Sequence, residues 1–118
     1  LLFNVGDAGV YVELDGELIQ ASVDDSSTVQ RGAVTACLGG MAEFEAVEPH
    51  VFRERSEGRR FVAASDGLFG PVSHHDMEIA CLGFSDRDAA ERLMDCALAA
   101  GATDNISIAL VRVLGSAR

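Results

Sequence analysis

Arg60-Phe61-Val62-Ala63-Ala64-Ser65-Asp66-Gly67-Leu68-Phe69-Gly70 is the stretch on which the reading of this chain turns. Phe61 to Ala64 is an apolar, strand-like run, and it stops at a carboxylate followed by glycine. A charged side chain directly after a buried strand is costly unless it is solvated, hydrogen-bonded or bound to a cation. Gly67 leaves the backbone free to turn sharply beside it. Taken alone, Ser-Asp-Gly is also the composition of an ordinary polar turn closing a strand.

Two further stretches place an Asp at a strand end. Leu2-Phe3-Asn4-Val5 runs into Gly6-Asp7, and Asp104-Asn105 opens into Ile106-Ser107-Ile108-Ala109-Leu110-Val111. If the strand leaving at Asp66 lies antiparallel to the one entering after Asp104, exit and entry fall on one rim of a sheet and their carboxylates converge. Clustered carboxylates repel unless one holds a proton or a cation neutralises them. Hard oxygen ligands of this kind suit magnesium or manganese.

Working outward, Val10 to Leu14 and Glu17 to Val23 flank Asp15-Gly16, a strong signal for a tight hairpin. With Leu1 to Val5 these predict a three-strand meander. Val51 to Arg55 predicts another strand, turned by Glu57-Gly58 into the one at Arg60 to Ala64. Ser73 with Asp76 predicts a capped helix from about His74 to Cys81, and Ser85-Asp86-Arg87-Asp88 starts a second that runs to Gly101. In that second helix Ala89, Ala90, Leu93, Met94, Ala97 and Leu98 recur at helical spacing. Ile106 to Leu114 closes the chain as a near-continuous apolar strand suited to a sheet buried on both faces. From Asp24 to Glu48 the pattern weakens, with Gly32, Gly39 and Gly40 interrupting it, as expected of an excursion that either holds a short helix near Val29 to Cys37 or runs as a mobile segment over a surface cleft.

The 118 residues suffice for one modest core, and apolar (48%) and charged (24%) fractions close to globular averages exclude disorder. The chain opens on Leu inside a strand, which is the expectation for a segment of a longer polypeptide. No apolar run approaches the roughly 20 residues needed to cross a bilayer, and the start lacks a signal peptide's basic flank, so the cytoplasm is the default. A net charge of −10 with no basic stripe argues against nucleic-acid or anionic-membrane partners. All nine basic residues are Arg, and Arg53, Arg55, Arg59 and Arg60 read as a solvated face. Cys37, Cys81 and Cys96 lack the spacing of a zinc site or disulfide frame. His50, His74 and His75 read as surface or capping residues.

The Asp stretches, in this order and with these neighbours, resemble the bacterial style of the PPM (PP2C-type) metal-dependent protein Ser/Thr phosphatases. Asn4-Val5-Gly6-Asp7 is similar to the family's Asn-x-Gly-Asp-Ser-Arg segment, Ser65-Asp66-Gly67-Leu68 to its Ser-Asp-Gly-Leu/Ile motif, and Asp104-Asn105-Ile106-Ser107 to its Asp-Asn-Ile/Met-Thr/Ser motif. The hairpin through Asp15-Gly16 to Ser26 and the segment Val34 to Gly40 follow the same order. The resemblance covers the whole chain and places residues 1–118 in the C-terminal portion of one phosphatase domain, with 24–48 as its flap-like excursion.

That resemblance implies an α+β fold, part of a four-layer αββα sandwich with antiparallel sheets. It implies a centre of two Mn²⁺ or Mg²⁺ ions, with Asp66 and Asp104 among the metal ligands, and a weaker third ion held by Asp7 with Asp66. The implied activity is hydrolysis of phosphoserine and phosphothreonine by metal-activated water, and the implied partners are phosphorylated proteins and a Ser/Thr kinase or its targets. The family's phosphate-binding Arg, metal-bridging Asp-Gly pair and proton-donating His have no counterpart here. No catalytic residue is therefore assigned, and the isolated chain is expected to be inactive. Ala8-Gly9 stands where the family has Ser-Arg, and Phe69-Gly70 where it has aromatic-Asp. These departures keep open a second reading, a catalytically inactive PPM-like regulatory or protein-binding module.

Overall fold

The computed structural model describes residues 1–25, 37–38, 48–53 and 55–115. Its framework is an antiparallel four-stranded sheet in the order β3-β2-β5-β6, built from β2 (Gly9–Leu14), β3 (Glu17–Gln20), β5 (Arg60–Ala64) and β6 (Ile108–Arg112). β2 and β3 form the expected hairpin. Asp15 and Gly16 both take positive φ, 51° and 84°, as a primed turn requires. A second, two-stranded antiparallel sheet joins β1 (Leu2–Asn4) to β4 (His50–Phe52).

Three helices follow β5: the short α1 (Asp66–Phe69), α2 (His74–Cys81) and α3 (Asp86–Ala99). The Ser73 hydroxyl accepts from the Asp76 amide at 3.1 Å and donates to the Asp76 carboxylate at 2.6 Å, so α2 starts where the Ser-x-x-Asp spacing puts it. Ser85 caps α3 in the same way through the Asp88 amide. Gly101, at φ 108°, ends it.

The core lies between these helices and one face of the larger sheet. Alternate residues Val62 and Ala64 of β5 meet Leu68, Val72, Met77, Ala80, Ala89, Leu93 and Ala97, with Leu18 closing one side. Leu68 and Leu93 are wholly buried, and each such side chain contributes about 1.5–3 kcal/mol relative to leaving it exposed. The α3 stripe is narrower than the sequence suggests, for Leu98 stays 55% exposed. Burial pushes the Cys81 thiol up and keeps it protonated. The opposite face of the sheet carries Val10, Phe61, Ala63 and Val111, and Leu1, Leu2 and Phe3 of the β1 arm lie along it. The described residues thus supply a helix layer, a four-stranded sheet and a two-stranded sheet.

Several expectations are corrected. Leu1 to Val5 does not join a meander. Gly6, at φ 100°, bends the chain out of the plane of β2, and β1 pairs with β4 instead. Arg60 is not on a solvated face: it shares the inward parity of Val62 and Ala64 and is 1% exposed. β6 is shorter than 106–114 and, among the described residues, pairs with β5 alone at a sheet edge, so Val111 and Leu114 remain exposed. β4 covers His50–Phe52 rather than Val51 to Arg55. Most of the 24–48 excursion, with the stretch from Val29 where a short helix was expected, lies outside the described residues.

Candidate metal centre

β5 and β6 run antiparallel with Ala64 opposite Ile108, so the exit into Asp66 and the entry from Asp104 share one rim. Two serines weld these loops together. The Ser65 amide donates to the Ser107 carbonyl at 3.0 Å, the Ser107 amide donates to Ser65 Oγ at 3.0 Å, and Ser65 Oγ donates to the Asn105 carbonyl at 3.2 Å. The role of Gly67 is close approach rather than a positive φ. A Cβ there would stand 2.2 Å from the Asn105 carbonyl oxygen, so only glycine lets α1 begin against the Asp104-Asn105 turn. Within that turn the Asn105 amide donates to Asp104 Oδ1 at 2.7 Å.

Asp7 reaches the same rim from the Gly6 bend. The Asp66 carboxyl is raised above its ordinary value, first by partial desolvation and then by the charges of Asp7 and Asp104. All three sequence-predicted carboxylates therefore converge. Among the described residues none of them has a basic partner. Oxygen donors of like charge with no counter-charge fit a hard divalent cation. Among the described residues, however, no group of three or more His, Cys, Asp or Glu is placed so that it could hold a metal ion.

Residues that the sequence reading passed over shape this rim. Asn4 is buried and spans the Asp7 bend. Its Nδ2 donates to the Ala8 carbonyl at 3.2 Å, while its Oδ1 accepts from the Val23 amide at 3.0 Å. Asp25 and His50 pair at 2.8 Å, where only a separate capping or surface role was expected for His50. Their signal is tertiary, between residues 25 apart in sequence. Gly9 accommodates the Phe69 ring, which a Cβ at position 9 would approach to 2.4 Å, and Phe69 in turn packs on Tyr11 with ring centroids 5.0 Å apart. Two departures from the family pattern, at 9 and beside Phe69, are thus adjacent in space.

No family model matches the chain. It is 30% identical over 131 residues to the serine/threonine protein phosphatase PstP of Mycobacterium tuberculosis, taking in 96% of this chain and 25% of that protein. The chain therefore spans about a quarter of the length of the curated relatives it matches. Among solved structures it is similar to the PPM Ser-Thr phosphatase MsPP from Mycobacterium smegmatis in complex with cacodylate. There the TM-score is 0.80 and the identity 26%, covering 94% of this chain and 54% of that one. It is also similar to the catalytic domain of PstP in complex with two manganese ions, at a TM-score of 0.77 and 31% identity, covering 96% of this chain and 53% of that one. With the antiparallel sheets, the helix layer and the ordered Asp motifs all in place, the chain has the fold of the PPM Ser/Thr phosphatases and is similar to them in sequence, spanning about half of their solved structures.

Proposed function

We propose that this chain is the C-terminal portion of a PPM-type domain that hydrolyses phosphoserine and phosphothreonine in proteins. The observation that carries the reading is the convergence of Asp66, Asp104 and Asp7 on one rim, where the Asp66 carboxyl is raised by partial desolvation and then by the other two charges. In this reading Asp66 and Asp104 hold ions of a two-metal centre, Mn²⁺ or Mg²⁺, and Asp7 with Asp66 holds a third. The structure of the related PstP catalytic domain with two manganese ions favours Mn²⁺. Bound there, the ions would lower the pKa of a water and offset the charge that develops on a transferring phosphoryl group.

The work of this chain's own residues is positional. Ser65 and Ser107 lock the Asp66 and Asp104 loops at one separation, and Gly67 permits that separation. Rigid strand ends suit ligands that must be held within a fraction of an ångström. The remaining ligands and the phosphate-binding group come from elsewhere in the domain, so the isolated 118 residues are inactive. The partners are phosphorylated proteins, including a Ser/Thr kinase or its targets, and the setting is cytoplasmic. Among the described residues no helix is long and apolar enough to cross a membrane.

A second reading, an inactive module that binds protein, draws on Gly9, where the Phe69 ring occupies the space that a side chain there would need. One assay separates the two: Mn²⁺-dependent hydrolysis of a phosphothreonine peptide by the complete protein, against Asp66→Asn and Asp104→Asn. The enzyme reading expects each variant to lose at least about a hundredfold in turnover, in line with loss of a metal that supplies several kcal/mol of charge stabilisation. An unaltered protein that shows no turnover with any divalent ion would favour the inactive module.

A further inference from the structure

The bend that presents Asp7 is held from outside itself, and the manner of holding suggests more than a fold staple. Gly6 is buried, and it exchanges two hydrogen bonds with one residue nineteen positions away. The Gly6 amide donates to Asp25 Oδ2 at 2.9 Å, and the Asp25 amide donates to the Gly6 carbonyl at 3.0 Å. The other carboxylate oxygen, Asp25 Oδ1, accepts from His50 Nε2 at 2.8 Å. On the far side of Asp7, the Ala8 carbonyl is pinned by Asn4 Nδ2. Asp7 is thus the single residue between two pinned neighbours.

The anchoring also reaches both sheets. Asn4 and His50 are register partners in the β1–β4 pair, and they hold Val23 and Asp25 respectively. The preceding Ser22 is tied to β2 instead, its amide and hydroxyl both donating to the Val10 carbonyl while its hydroxyl accepts from the Val10 amide. The 22–25 segment therefore stitches the small sheet to the large one directly beneath the Asp7 bend. A carboxylate ligand whose backbone is fixed at both flanks loses little freedom when it binds a cation. That is the service partners outside the ligand set render to metal sites.

We infer that Asp25 and His50 are positioning residues for Asp7: Asp25 fixes the Gly6 end of the bend, His50 fixes the Asp25 carboxylate, and together they set where the Asp7 carboxylate stands on the rim. This inference rests on the metal reading above. The His50 contact lowers the Asp25 carboxyl, with the Gly6 amide as the second cause, so the acceptor stays ionised.

The test is isothermal titration of the complete protein with MnCl₂, paired with amide hydrogen exchange at Gly6, for Asp25→Ala, His50→Ala, the double variant, Asp25→Asn and Asp7→Asn. Asp25→Ala and His50→Ala should each weaken the Mn²⁺ step that Asp7→Asn also weakens, by about tenfold, with faster exchange at Gly6. The double variant should be no weaker than Asp25→Ala alone, because both act through one carboxylate. Asp25→Asn, which keeps an oxygen for the Gly6 amide, should recover most of the loss. Faster exchange with Mn²⁺ affinity unchanged, beside a real loss in Asp7→Asn, would make the pair a fold staple and overturn the inference alone. Affinity unchanged in Asp7→Asn as well would overturn the metal reading, and this inference with it.

Discussion

The two ends of β5 carry charge in opposite ways. At its start, Arg60 is buried and surrounded: Nη2 donates to the Cys81 carbonyl at 2.6 Å and lies 2.7 Å from Glu13 Oε2, while Nη1 reaches the Phe84 carbonyl at 2.9 Å and Asp86 Oδ1 at 3.2 Å. Arg112, its register partner on β6, grips the same Asp86 with both Nε and Nη2. At its end, Asp66 faces two more carboxylates and, among the described residues, no cation. The first end is electrostatically complete within the chain and ties the α2–α3 connection to the sheet. The second is incomplete and gains nothing for the fold from its charges. Charge satisfied internally marks structure, whereas like charge gathered on rigid elements marks a place for something else to bind.

That contrast makes predictions that can break it. The largest effect belongs to the complete end. Arg60→Leu leaves Glu13 without its counter-charge and two carbonyls without their donor, and stability should fall by about 3–5 kcal/mol in urea denaturation, while any Mn²⁺ affinity of the folded fraction is kept. Loss of Mn²⁺ binding without loss of stability would reverse the assignment of the two ends. Next comes Gly67→Ala, whose new methyl must displace the Asn105 carbonyl. It should cost about 1–3 kcal/mol and, unlike Arg60→Leu, weaken Mn²⁺ binding in the molecules that remain folded, as read by calorimetric titration.

The smallest effect concerns pH. Arg112, and after it Arg60, hold the Asp86 carboxyl below the usual carboxylate range. A depressed folded pKa means that this contribution is fully present above the unfolded value and is lost as pH falls through the folded one. Asp86 is 41% exposed, so the contribution is at the surface scale of about 1 kcal/mol or less. Asp86→Asn should lower stability at pH 7 and flatten the acid limb of the stability curve measured by denaturation between pH 7 and pH 2. Asp66 has the opposite sign. Its raised carboxyl costs stability above its folded pKa, and that cost is relieved on acidification.

How much of this was legible in the chain varies with the range of the interaction. The limits of α2 follow from Ser73 and Asp76, those of β5 from Arg60 to Ala64, and the hairpin from Asp15-Gly16, since caps and primed turns are decided within four residues. The shared rim of Asp66 and Asp104 was also within reach, because it needs only one antiparallel pairing. The partner of β1 was not, for strand pairing is settled by contacts about 50 residues away that no local pattern encodes. Arg60 shows a signal present but misread: its parity with Val62 and Ala64 pointed inward, yet buried arginine is rare enough that solvent was the expectation. The Asp25–His50 contact needed the folded chain, since neither residue stands in a motif that pairs them.

The sharpest test of the incomplete end is thermal unfolding of the complete protein and its Asp66→Asn variant, each with EDTA and with saturating MnCl₂. Without metal, Asp66→Asn should be the more stable, because it removes one of three mutually repelling charges. With Mn²⁺ the order should invert, the unaltered protein gaining about 2.7 kcal/mol at a metal concentration a hundred times its dissociation constant and the variant gaining less. Equal gains with metal, or a variant less stable than the unaltered protein in EDTA, would contradict the claim that these carboxylates are gathered for a cation.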